Sequence, residues 1–193
     1  MRFKLMGSLI AAWLMYSISS TAHAEPFITI HTNYYPISGN NSALIHQSLS
    51  QLGPIGKDGK RYHAQTSWEL SWNYQWVTSR KNCGLTRIEV HAEVSYLMPE
   101  ISTDAKLSER MKQQWDIYFA ALFSHEQQHK DFAVAAAKEL DQKLSALTIL
   151  PCAELDQRIA DLSDQVLGKY QKLELEFDLR TEHGIKQGVV LPR

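Results

Sequence analysis

The chain has 193 residues, of which 44% are hydrophobic, and its 20 basic and 21 acidic residues give a formal net charge of −1. This length and apolar content are sufficient for one domain with a hydrophobic core of its own. The balanced charge, with no basic stripe in the sequence, argues against a nucleic-acid-binding protein.

The first 24 residues have the organisation of an export signal. Arg2 and Lys4 give a positive start, an apolar run extends from Leu5 to Ile18, and small residues stand at Ala22 and Ala24. The pattern predicts cleavage after Ala24, a single mature domain of residues 25–193, and a periplasmic or secreted location. The apolar run is shorter than the roughly 20 residues of a spanning helix. We therefore expect no stable membrane insertion after cleavage, and a retained anchor is the alternative.

The first half of the mature chain predicts strands and one short helix. Phe27 to Thr32 has the pattern of a strand, and Leu44 to Leu52 has a helical pattern that ends at Gly53. Aromatic residues recur at every second position from Trp68 to Trp76, and a second alternating run extends from Arg87 to Tyr96. The two runs predict an antiparallel hairpin. We expect the aromatic residues to pack in the core, with a carbohydrate- or peptide-binding platform as the alternative.

The second half of the chain begins with a long predicted helix. Thr103 or Asp104 is expected to cap it, and its apolar stripe continues at steps of three or four residues as far as Leu144. His125 and His129 both fall within this stripe. The two histidines are therefore expected to point towards the protein interior, where unpaired imidazoles would be costly.

A second helix is predicted after a short break. Leu150-Pro151 interrupts the first helix, and a new apolar pattern extends from Leu155 to Phe177 before Gly184 stops it. Because short connections make antiparallel neighbours, the level of Gln127 on the first helix corresponds to about residue 173 on the second. The predicted fold class is α+β: an N-terminal antiparallel sheet with one short helix, packed on two long antiparallel helices.

The segment from His125 to His129 carries the strongest chemical signal in the chain. A helix places residues i and i+4 on one face, so both imidazoles can bind one zinc ion, and Glu126 can act as the general base for a water molecule at that metal. The alternative is a pair of core histidines that are satisfied by backbone or side-chain partners.

A catalytic zinc site needs a third protein ligand from outside this motif. Glu174 and Asp178 lie closest to the level of the histidines on the second helix, and His183 lies about ten residues beyond that level. Each has an ordinary alternative, because helix carboxylates are usually solvated and a histidine near a helix C-terminus can interact with free carbonyl groups. These three residues remain the candidates.

Cys83 and Cys152 are the two cysteines of the chain. In an exported protein two cysteines most simply form one disulfide. The competing interpretation makes them zinc ligands, but each lacks the closely spaced partner that cysteine-rich zinc sites usually show.

The motif His125-Glu126-x-x-His129 resembles that of the zincin clan of metallopeptidases. The mature chain is similar to a family of exported bacterial zinc-dependent proteases in the segment Asp178-x-x-Thr181-x-His183-Gly184, in the tryptophan-rich strand and in the paired cysteines. The continuation Lys130-Asp131-Phe132 after His129 differs from that of the metzincins.

This resemblance implies one zinc ion per chain, bound by His125 and His129, and a peptide or protein substrate that is hydrolysed with Glu126 as general base. It favours Asp178 and His183 over Glu174, with one of the two binding the metal and the other orienting a ligand or stabilising the oxyanion. Two alternatives stay open: a non-catalytic zinc-binding envelope protein, and an interaction module that binds no metal.

Overall fold

A computed structural model of the chain describes residues 25–56 and 58–192. The signal predicted for residues 1–24 lies outside the described residues. The elements, in chain order, are β1 (Phe27–Ile37), α1 (Ser42–Leu52), β2 (Gln65–Ser79), β3 (Asn82–Ile101), α2 (Glu109–Ser145), β4 (Leu150–Pro151), α3 (Cys152–Thr181) and a short 3₁₀ helix (Ile185–Gln187). This order confirms the predicted α+β class, with a sheet and a short helix followed by two long helices.

The three long strands lie in the order β1–β3–β2, and β4 pairs with the start of β3. The predicted hairpin is confirmed, since β2 and β3 pair in antiparallel fashion with Trp68 opposite Val94. The sheet is not antiparallel throughout, however, because β1 pairs with β3 in parallel, with Ile30 opposite Val94. A tight turn joins β2 to β3, so these two strands run in opposite directions. The chain passes from β1 to β3 by a crossover through α1 and β2, so β3 runs in the same direction as β1.

The long helix α2 begins later than the sequence pattern predicts. Its N-cap is Ser108, whose hydroxyl accepts a hydrogen bond from the backbone N–H of Met111 at 3.2 Å. The predicted caps Thr103 and Asp104 lie instead in a turn that follows the end of β3. That prediction was wrong because several polar residues precede the apolar stripe, and tertiary contacts decide which of them caps the helix.

The inner face of the sheet packs against α2 and α3. Val90 and Val94 of β3 are at most 1% exposed and belong to two adjacent apolar clusters, which α2 joins through Tyr118 and Leu140. Most of the aromatic ladder packs as expected, with Trp68 half-buried against these clusters, whereas Trp76 is 54% exposed. Core packing therefore explains why aromatic and polar residues alternate along β2.

A disulfide between Cys83 and Cys152 joins the start of β3 to the first residue of α3, which confirms the predicted pairing. The bond fastens the N-terminal end of α3 to the sheet, while the opposite end of α3 reaches the two histidines of α2. Within residues 25–56 and 58–192, no helix combines the length and apolarity needed to cross a membrane.

Candidate metal centre

The inner face of α2 presents His125, Glu126 and His129 together. All three side chains are buried, with residue exposures of 4%, 5% and 9%. The imidazole centroids of the two histidines are 5.1 Å apart and their planes are nearly perpendicular, at 82°. The helical spacing of four residues therefore brings both rings to one point, as the sequence predicts.

Asp178 of α3 completes a group of three potential ligands. Its Oδ1 atom lies 3.2 Å from Nε2 of His125 and 3.1 Å from Nε2 of His129. The three potential ligand atoms, one from each residue, all lie within 4.8 Å of one another. Two imidazole nitrogens and one carboxylate oxygen form a donor set that suits zinc and other first-row transition metals. The residues present therefore fit a metal ion at this point.

Partners on the outer side of each ring orient the two histidines. Nδ1 of His125 lies 2.8 Å from Oε1 of Gln187, and Nδ1 of His129 lies 3.3 Å from Oε1 of Glu174. Glu174 Oε1 also accepts a hydrogen bond of 2.7 Å from the indole N–H of Trp68. Each ring thus has a partner at Nδ1 and faces Asp178 through Nε2, which is the usual arrangement of metal-binding histidines.

The charges of the three converging groups compensate one another. Burial alone would raise the pKa of Asp178, but hydrogen bonds and charge interactions with His125 and His129 hold that pKa well below its usual range. Burial opposes a charge on His129, yet its hydrogen bonds to Asp178 and Glu174 raise its pKa to about 10. A protonated His129 and an ionised Asp178 attract each other at the point where a metal cation would bind, so metal binding there would release a proton.

Glu126 lies beside the ligands, but its carboxylate turns towards the sheet. Its Oε2 atom accepts a hydrogen bond of 2.6 Å from the hydroxyl of Thr66 on β2. Burial raises the pKa of Glu126 above its usual value, and the Thr66 bond and the neighbouring histidines offset this only in part. A carboxylate with a raised pKa is a better proton acceptor near neutral pH than an exposed one.

His183 lies at the rim of the site rather than among the three converging groups. Its Nδ1 atom is 3.7 Å from Oδ2 of Asp178, and its side chain is 46% exposed. It follows a sharp end to α3 in which Glu182, His183 and Gly184 have backbone φ angles of 52°, 51° and 84°. At Gly184 a Cβ atom would lie 3.2 Å from Cγ of His125, so this glycine also allows the C-terminal tail, residues 185–192, to approach α2.

The structure thus sorts the candidates for the third ligand by distance. Asp178 converges with the two histidines, Glu174 contacts the far side of His129, and the partly exposed His183 lies on the other side of Asp178. Sequence reasoning did not identify Gln187 or Thr66 as parts of the site. Gln187 lies in a segment without periodicity, and Thr66 is one polar position among several in an alternating strand, so neither carries a recognisable signal.

Comparison with protein-family models places most of the chain in one family. A model described as "Bacterial protein of unknown function (DUF922)" matches residues 32–184. The matched range contains both cysteines, the three converging residues and Glu126, and it ends at Gly184 just before the segment that carries Gln187. No curated protein and no solved structure matches the chain.

Proposed function

The chain belongs to the DUF922 family of bacterial proteins, and we propose that it is a zinc-dependent peptidase in which His125, His129 and Asp178 hold the metal and Glu126 is the general base. The proposal depends above all on one observation: two Nε2 atoms converge within 3.2 Å of one carboxylate oxygen, beside a further buried carboxylate. A structural site would have no use for this second carboxylate.

When bound, a zinc ion in this donor set would act as a Lewis acid that polarises a carbonyl group and lowers the pKa of a water molecule. Glu126 would accept a proton from the attacking water as the water oxygen bonds to the carbonyl carbon. The same carboxylate would then deliver that proton to the nitrogen as the C–N bond breaks, giving a carboxylate and an amine. The hydroxyl of Thr66 would hold Glu126 in position throughout, through the 2.6 Å bond to Oε2.

The number of converging groups supports a catalytic rather than a structural site. Structural zinc sites are usually closed by four protein ligands, whereas catalytic sites have three and keep one position open. Among the described residues, the group that could hold a metal contains His125, His129 and Asp178. His183, at 3.7 Å from Asp178 Oδ2 and 46% exposed, does not belong to this group.

Export and a peptide substrate belong to the same proposal. The disulfide between Cys83 and Cys152 is of the kind that persists in oxidising compartments, which supports a signal peptide in residues 1–24 and a periplasmic or secreted enzyme. The substrate would be a peptide or a protein, since the zinc and general-base arrangement resembles that of peptidases.

The proposal is tested by metal content and by hydrolysis, measured on the exported chain with its disulfide intact. Elemental analysis should find about one zinc per chain in the wild type and in Glu126→Gln, and much less in Asp178→Ala. The control is Glu176→Ala, which removes an exposed carboxylate two residues before Asp178 on α3. Because a site with two histidines and one carboxylate also suits iron(II), the same analysis should count iron and manganese.

Hydrolysis of a mixed peptide library, followed by mass spectrometry, should occur with the zinc-loaded wild type and be lost in Glu126→Gln. A wild type that stays metal-free after reconstitution with zinc would contradict the proposal and favour an interaction module. A protein that holds zinc and cleaves none of the peptides would favour the non-catalytic zinc-binding alternative.

A further inference from the structure

The loop between α1 and β2 is arranged around one side chain, Tyr62. The backbone N–H of Tyr62 donates to the carbonyl of Pro54 at 2.9 Å, and the guanidinium of Arg61 donates to the carbonyl of Gly53 at 2.6 Å. A Cβ atom at Gly53 would lie 2.0 Å from the carbonyl oxygen of Tyr62, and one at Gly56 would lie 2.6 Å from its ring. Both glycines are therefore required by the position of Tyr62.

His63, the next residue, fixes this loop to the protein core. Its carbonyl accepts a 2.6 Å hydrogen bond from the hydroxyl of Tyr35, and its Nδ1 lies 2.7 Å from the hydroxyl of Tyr118. Tyr118 is 1% exposed and lies two turns before Glu126 on α2. The helix that carries the histidines thus also determines where Tyr62 stands.

Tyr62 faces the rim of the metal centre. Its ring centroid is 4.9 Å from that of His183, with the planes tilted by 52°, and His183 borders Asp178. The phenol donates a 2.8 Å hydrogen bond to Oδ2 of Asp58, a side chain that is 42% exposed. Burial, the bond to Asp58 and the charges of Asp58 and Asp178 raise the pKa of Tyr62, so the phenol keeps its proton and remains a donor at neutral pH.

We propose that Tyr62 is a substrate-contacting residue, whose phenol donates a hydrogen bond to the carbonyl oxygen of the scissile bond as negative charge develops there. This role rests on the proposed peptidase function. A hydrogen-bond donor at the developing oxyanion lowers the barrier to the reaction. Because Asp58 is partly exposed, water can replace the phenol there, so Tyr62 exchanges one hydrogen bond for another. His183, whose ring lies beside that of Tyr62, would border the substrate on the same side.

The test uses phenylphosphonate, a tetrahedral anion whose oxygens imitate the developing oxyanion. Binding is measured by isothermal titration calorimetry on protein whose zinc content has been determined. Tyr62→Phe keeps the ring that packs beside Gly56 and removes the donor, so its zinc content should equal that of the wild type while phenylphosphonate binds about tenfold more weakly. The matched control is Tyr74→Phe, which loses an equivalent 2.8 Å bond to Asp156 at a position on β2 remote from the rim, and it should bind as the wild type does.

Asp58→Ala separates a role in substrate binding from a role in holding the loop. If the phenol serves only to fix the loop through Asp58, Asp58→Ala should weaken phenylphosphonate binding as much as Tyr62→Phe does, and that result overturns the proposal. If the phenol contacts the ligand, Asp58→Ala binds at least as well as the wild type.

Two further outcomes distinguish the role of Tyr62 from the proposed function itself. A zinc-loaded protein that does not bind phenylphosphonate, or that binds it equally well with Tyr62→Phe, overturns the role of Tyr62 and leaves the metal site standing. A wild type without metal overturns both.

Discussion

Replacing Glu174 by glutamine should weaken zinc binding, although Glu174 does not belong to the three converging residues that could bind the metal. Its Oε1 atom lies 3.3 Å from Nδ1 of His129 and accepts the 2.7 Å bond from Trp68. Loss of such an outer partner typically costs about 10- to 100-fold in metal affinity, or about 1.4–2.8 kcal/mol. The contact to His129 is long and the Glu174 side chain is 19% exposed, which places the expected loss nearer to tenfold.

The dissociation constant for zinc would be measured by competition with a chromophoric chelator. Glu176→Gln is the matched control, because this carboxylate lies on the same helix, is 54% exposed and pairs only loosely with Lys172 at 3.7 Å. Glutamine at 174 can still accept the Trp68 hydrogen bond, so the fold should be retained and circular dichroism should show this. Because the amide oxygen of glutamine can also accept from His129 Nδ1, the substitution removes the charge of Glu174 rather than the contact. Equal zinc affinities for the two variants would refute the inference that this charge strengthens His129 as a metal-binding group.

Three predictions concern stability. Replacing both Cys83 and Cys152 by serine removes a crosslink between residues 69 positions apart, which should lower the free energy of unfolding by about 4 kcal/mol in urea titrations, and an unchanged midpoint would contradict this. Burial and the nearby charge of His46 lower the pKa of His63 to about 4, against about 6.5 in the unfolded chain. The unfolded state therefore takes up a proton first as the pH falls, and the free energy of unfolding should drop by up to about 3 kcal/mol between pH 6.5 and 4. The variant His63→Asn should show a shallower drop, and equal slopes for the variant and the wild type would exclude this cause. Glu182 has a φ angle of 52°, where a side chain costs about 1 kcal/mol, so Glu182→Gly should stabilise the protein by about 0.5–1 kcal/mol in urea unfolding, whereas a destabilised variant would show that this backbone is unstrained.

The sequence predicts the helical part of the site well because its rules are local. A period of 3.6 residues determines which face of α2 is apolar, and His125 and His129 lie on that face in the structure. The short break at Leu150-Pro151 makes α3 antiparallel, and counting residues from the break places Glu174 and Asp178 opposite the histidines. Distances of 3.1–3.3 Å between these groups agree with that count.

The other parts of the site depend on contacts that have no local signature. The alternating pattern of β1 is compatible with either strand direction, and its parallel pairing with β3 follows from a crossover that only the folded chain defines. Tyr62 lies in the loop between α1 and β2, and Gln187 lies in the 3₁₀ helix that follows the left-handed end of α3. Gly56 makes room for the ring of Tyr62. No recognisable sequence pattern links these two positions, so the sequence alone could not indicate the role of this glycine.

The candidate metal site and the hydrophobic core depend on the same C-terminal segment. After the left-handed turn at Gly184, the chain folds back so that Gln187 contacts His125 while Val189 and Leu191, 9% and 7% exposed, join the apolar cluster of Tyr118. Packing of these two side chains thus holds Gln187 at 2.8 Å from the imidazole of His125, and any opening of this segment would remove the contact that orients that ring. Metal bound at His125 would in turn favour the packed tail, because a ligand that binds only the folded state stabilises it by about 2.7 kcal/mol at one hundred times its dissociation constant. The left-handed backbone at Glu182 and His183 is then the local cost of bringing this segment back onto α2, and the packing of Val189 and Leu191 offsets it.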